Sequence, residues 1–160
     1  MKTKSFLSLL TLLTSATGSA LAQSVVNERQ ISLALATEAA LTAVEKCRAD
    51  GFRVTAVVVD RGGQIKAVLR DDSTSPHTVD TAQKKAFTSI AFRIPSSEFV
   101  RRVESNPGLR SIEGTIALGG GLPLRLGTEV IAGIGVGGAP SGDADAACAQ
   151  AGIDKIAGRL

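Results

Sequence analysis

Apolar positions along the chain change period several times, and each change marks an element. After Asn27, Leu33, Ala36, Ala40, Val44 and Cys47 recur three or four residues apart. That spacing predicts one buried helix face, running to about Ala49. Asn27 followed by Gln30 suggests its N-cap, and Asp50-Gly51 its stop. Arg53–Asp60 is β-branched and predicts a strand. Arg61-Gly62-Gly63 is a turn, and Gln64–Arg70 alternates as a returning strand. Ser75-Pro76 fits the start of a second helix to about Phe92, burying Val79, Ala82, Ala86 and Ile90. Ser96–Val103 predicts a short third helix, closed by Asn106-Pro107-Gly108.

The last third is glycine-rich. Gly114–Leu118, Leu122–Leu126 and Val130–Val136 each predict a strand, and Pro123 suits the second of these to a sheet edge or a strand start. Glycines in Val130–Val136 mark places where another backbone can approach. Ser141 or Asp143 caps a final helix to about Ala157. The order α-β-β-α-α-β-β-β-α predicts one α+β domain with an antiparallel sheet of five strands. The terminal helices share one of its faces.

The first 22 residues read differently. Lys2 and Lys4 precede a short apolar run, Phe6–Leu13, and Ala20-Leu21-Ala22 has a small-x-small cleavage pattern. Residues 1–22 are expected to be a signal peptide and 23–160 the mature domain. The apolar run is too short for a stable membrane span. Export to the periplasm or the exterior is the corresponding expectation. Losing Lys2 and Lys4 reduces the 18 basic residues to 16 against 15 acidic, so the high isoelectric point loses its meaning for nucleic acid.

Export also changes the reading of Cys47 and Cys148. Cys47 lies on the inward stripe near the end of the first helix, and Cys148 early in the last. If those helices lie antiparallel on one sheet face, the two meet, and an oxidising compartment makes them a disulfide.

Composition removes several function classes. The chain has one His, two Cys, five Phe, and neither Trp nor Tyr. Cys and His alone cannot build a four-ligand zinc cluster. Single-stranded nucleic-acid binding normally needs more aromatic platforms than this.

Four segments, in order, carry a resemblance: VVVDRGGQIKAVLRDD, PHTVDTAQKKAFTS, LGGGLPLRLGTEVIAGIGVGGA and DADAACAQAGIDKI. Over about residues 28–158 the chain resembles the GlcG/HbpS-like family, described as haem-binding or haem-degrading and related to the C-terminal domain of PduO-type proteins. The resemblance implies an α+β fold with a five-stranded sheet, homo-oligomers, and haem or a small organic acid as ligand. The family's last strand usually ends Gly-x-Ser-Gly. Here Gly135-Val136-Gly137-Gly138 lacks that hydroxyl.

Candidate site residues follow. His77 is the only histidine, and a neutral imidazole is a common haem-iron ligand. Its other reading is a surface or capping residue. Lys85 stands at the family's Lys-Ala position. It and Arg93 are candidates to pair with haem propionates or a small carboxylate, or else belong to a solvated helix face. Gly119, Gly120 and Pro123 either line a pocket or form a tight bend. Asp60 and Asp143 are explained by turn and cap duties.

The leading functional reading is an exported haem-binding protein that aids haem or iron handling. The alternatives are an enzyme or accessory protein acting on a small hydroxy- or oxo-acid, with His77 as base, and a sensor-partner module.

Overall fold

The computed structural model describes residues 25–160. The expected signal peptide lies outside them. Helix α1 spans Leu33–Ala49, strands β1 and β2 Thr55–Asp60 and Ile65–Arg70, helix α2 Thr78–Phe92 and helix α3 Ser96–Ser105. Strands β3 and β4 follow at Gly121–Leu126 and Glu129–Gly137, then helix α4 at Gly142–Ile156. Short 3₁₀ turns cover Pro107–Ser111 and Ala157–Arg159.

The sheet has four antiparallel strands in the order β2-β1-β4-β3. The expected fifth strand, Gly114–Leu118, is not one. Its backbone is claimed elsewhere: Ile116 N–H donates to the Thr88 hydroxyl at 2.9 Å, and Thr115 N–H to Ile112 O. An alternating apolar pattern cannot pair when a helix side chain already holds its donor. Pro123 lies on edge strand β3 opposite Gly133, where a missing N–H costs least.

Two helix starts also move. α1 is capped by Ser32, whose hydroxyl accepts from Leu35 N–H at 3.3 Å, and Leu33 is exposed. Asn27 lies outside the helix. α2 has His77 at its N-cap position, with no side-chain cap bond. The Ser75 carbonyl, rather than its side chain, closes that turn by accepting from the Thr78 hydroxyl at 2.7 Å.

One face of the sheet carries α1 and α4 over a large cluster that includes Ala36, Ala40, Val44, Ala56, Val58, Ile134 and Ala149. Cys47 and Cys148 are fully buried there and form a disulfide, with Cα atoms 5.5 Å apart. The other face carries α2 over a smaller cluster, Val57, Val59, Ala82, Ala86, Ile90 and Val130. α2 lies close because β4 is glycine-rich. A Cβ at Gly133 would come within 2.5 Å of the Ala86 carbonyl, and one at Gly135 would collide with that of Ala82. Among the described residues, no helix is long and apolar enough to cross a membrane.

Candidate functional site

The close seating of α2 positions a cleft where its N-terminus meets that of α4. The cavity has a volume of about 300 Å³. His77, Arg53 and Leu118 stand among its lining residues as exposed side chains, and Lys85 and Asp145 as buried ones. Gly119, Pro140 and Ser141 also line it. Ser141 caps α4, accepting from Ala144 N–H at 3.1 Å. Gly119 runs against Gly142 backbone to backbone, with no room for a side chain between them.

Lys85 is buried, not part of a solvated helix face. It occupies the inward stripe of α2 with Ala82 and Ala86 and is 4% exposed. Its ammonium donates to Asp145 Oδ2 at 2.6 Å and to the Val136 carbonyl at 3.0 Å. Asp145, 2% exposed, uses its other oxygen to accept from Ala139 N–H at 3.0 Å. The pair therefore ties α2 to the end of β4 and to the loop leading into α4. Burial pushes the Asp145 carboxyl above its ordinary value, and the hydrogen bond from Lys85 opposes that rise. Gly120 makes the pairing possible. Its φ is +113°, and a Cβ there would lie 2.7 Å from Asp145 Cβ and 2.9 Å from the Val136 carbonyl.

Arg53 is the exposed cation. It lies 3.6 Å from Asp71, but Asp71 is already held by Arg48, which donates to both carboxylate oxygens at 3.1 and 2.5 Å. Arg48 holds the Asp71 carboxyl below the usual carboxylate value, chiefly by that hydrogen bonding. Arg53 makes no hydrogen bond of its own to Asp71 within this network.

The fold thus brings together His77, Lys85 and Gly119 from the sequence-derived candidates, with Gly120 directly beneath the ion pair. It does not bring Arg93 or Pro123. Arg93 is the exposed, left-handed C-cap of α2, and its carbonyl accepts from Arg125 at 2.7 Å. Pro123 sits within β3 and is not part of the cleft lining. Asp60 works in its turn, accepting from Gly62 and Gln64 N–H. Arg53 and Asp145 are the additions. Asp145 shares a buried stripe with Cys148, Ala149, Gly152 and Ile156, and an acid on an apolar stripe is the signal that marks it. Among the described residues, no group of three or more His, Cys, Asp or Glu is placed to hold a bare metal ion.

Comparison with known proteins decides the family. Residues 31–154 match the family model described as haem degrading protein HbpS-like. The chain belongs to the HbpS-like family. HbpS-like structures overlay closely. A Streptomyces reticuli HbpS with two glutamate-to-aspartate substitutions is 39% identical, with a TM-score of 0.82, covering 89% of this chain and 98% of that one. Klebsiella pneumoniae protein ORFY is 28% identical, with a TM-score of 0.75 and coverage of 84% and 98%. A PduOC:haem complex, 23% identical with a TM-score of 0.73 and coverage of 80% and 96%, shares the fold. A search of curated proteins finds no match.

Proposed function

We propose that this HbpS-like chain is an exported haem-binding protein that takes haem at the cleft between the N-termini of α2 and α4, where His77 would hold the iron. The observation that carries the reading is the state of His77. Its exposed imidazole lines the cleft and makes no cap bond, so a ring nitrogen is available to iron.

The neighbouring residues fit the group. Leu118, 48% exposed, offers apolar surface to a porphyrin face. Arg53 offers a cation for a propionate. Lys85 is a weaker choice for that task because Asp145 neutralises it. Arg93 and Pro123 lie outside the cleft lining, so the cleft reading gives them no contact role. Haem, when bound, would supply the iron's redox chemistry. The chain's residues bind it, orient it and limit water at one side.

The cavity is at the lower end of the usual range for ligand sites, about 300–1,000 Å³. It therefore encloses part of a haem, and a second copy of the chain covers the rest in this reading. The buried disulfide supports an oxidising compartment. It agrees with residues 1–22 acting as a signal peptide.

Titration of the mature protein with haem tests the reading. A saturable Soret shift is expected, and His77→Ala should abolish it. An unchanged spectrum in the wild type, or identical spectra for the two proteins, would remove it.

A further inference from the structure

The segment that does not form the expected fifth strand runs over α2 at Phe87 and Thr88 as a strap. Residues 113–119 contain no helix or strand, and each is exposed or half-buried. Among the described residues, Thr88 is the one hydrogen-bond partner these residues have beyond the adjacent Ile112. The Thr88 hydroxyl is buried. It donates to the Lys84 carbonyl at 2.7 Å and accepts from Ile116 N–H at 2.9 Å. Past the strap the chain is pinned again. Val136 N–H donates to the Gly120 carbonyl at 3.0 Å, and Gly121 N–H to Ser96 Oγ at 2.8 Å. Glycines stand at both ends. Gly114 has a φ of +78° and lies against the Phe87 ring, and Gly119 lies against the Gly142 backbone. Glycine absorbs backbone rotation at little steric cost. A segment with no buried residue and one anchoring bond opens at a lower free energy than the whole fold.

The strap also borders two cavities. Leu118 and Gly119 line the cleft between α2 and α4. Gly114 and Phe87 line a second cavity of about 460 Å³. Between them, α2 turns Thr81 and Lys85 to the cleft and Asp80 and Lys84 to the second cavity. The neighbouring cleft walls are tied. Lys85 joins α2 to α4 through Asp145, and Asp145 also holds the loop at Ala139. The strap is the cleft wall with freedom to move.

We propose that residues 114–119 are a lid on the cleft, hinged at Gly114 and Gly119 and latched by Thr88. Lifting it withdraws Leu118 from the cleft and admits the ligand. The gating role rests on the cleft being the haem site; the opening of the strap does not.

Two measurements on the ¹⁵N-labelled mature protein test the lid: amide hydrogen exchange, and stopped-flow haem uptake at the Soret band. In the wild type, Ile116 N–H should exchange well before Ala132 N–H of β4. Thr88→Val keeps the side-chain shape and loses the latch. It should speed haem uptake about fivefold, the size of one net hydrogen bond, because uptake scales with the open fraction. Exchange of the β4 amides should not change in that variant. Thr88→Ser keeps the hydroxyl and should take up haem at the wild-type rate. Wild-type exchange decides alone if Thr88→Val does not fold. The lid is overturned if Ile116 exchanges only as slowly as Ala132. It is equally overturned if Thr88→Val takes up haem at the wild-type rate, or if its β4 amides speed up with the strap. If Ile116 exchanges early but the wild type takes up no haem, the haem reading falls and the latched, opening strap stands.

Discussion

The two faces of the sheet solve different problems. Under α1 and α4 the interior is apolar and locked by Cys47–Cys148. Under α2 the apolar cluster is small, and the helix is seated by glycines and by one buried ion pair. The first face holds the chain together. The second trades apolar burial for a charged cleft floor, which is costly unless every donor and acceptor finds a partner. Chemistry gathers at one end of the sheet, where α2 from the second face meets the start of α4 from the first.

The largest effect expected is on the first face. The disulfide spans a sequence separation of 101 residues, and replacing both cysteines by alanine should cost about 4–5 kcal/mol by loop-closure entropy. Urea denaturation measures it. A loss below about 1 kcal/mol would mean that the α1–α4 interface needs no covalent lock.

Next comes the cleft face. Lys85→Met leaves Asp145 buried without its cation and should cost about 3–5 kcal/mol. Adding Asp145→Asn to Lys85→Met should restore part of that loss, because a neutral amide is easier to bury than an unpaired carboxylate. Thermal melts of the two variants compare them. If the single and double variants match, the ion pair is not what seats α2.

A smaller effect tests the glycine contact. Gly135→Ala forces a methyl against the Ala82 carbonyl and should destabilise by about 1–3 kcal/mol. Retained stability would show that α2 can lift from β4 at little cost.

The smallest effect has opposite sign at the two buried carboxylates, Asp71 and Asp145. Asp71, held by Arg48 of α1, has a lowered folded value, so its contribution is present above the ordinary carboxylate range. It is lost as pH falls through that lowered value. Asp145, raised by burial, behaves in reverse. Its contribution is fullest at and below the ordinary carboxylate value and declines as pH rises through the raised one. Urea midpoints across pH should therefore lose their acid-side fall in Asp71→Asn and their decline on the rising side in Asp145→Asn. Variants with parallel profiles would contradict the assignment.

Much of this arrangement was legible in residue order. The hairpin at Arg61-Gly62-Gly63, the terminal helices on one face, the edge position of Pro123 and the cysteine pair all follow from local patterns plus the need to bury one stripe. The fifth strand misled because alternation in Gly114–Leu118 says nothing about Thr88, 28 residues away, which takes the Ile116 N–H. The site divided in the same way. His77 stood out by chemistry alone. Lys85 also stood out, but its burial depends on Asp145, 60 residues further on, and no local spacing links them. Arg93 follows α2 closely in sequence, yet it caps the far end of a 15-residue helix. Helix length alone carries it away from the cleft.

The central claim is that the cleft face binds haem through His77 while the disulfide face only supports it. Haem titration of His77→Ala beside Cys47→Ala/Cys148→Ala, followed at the Soret band well below either melting temperature, tests it most directly. The account predicts that the histidine variant loses the wild-type shift with its fold intact, and that the cysteine variant keeps the shift despite its lower stability. A histidine variant that binds haem like the wild type would contradict it.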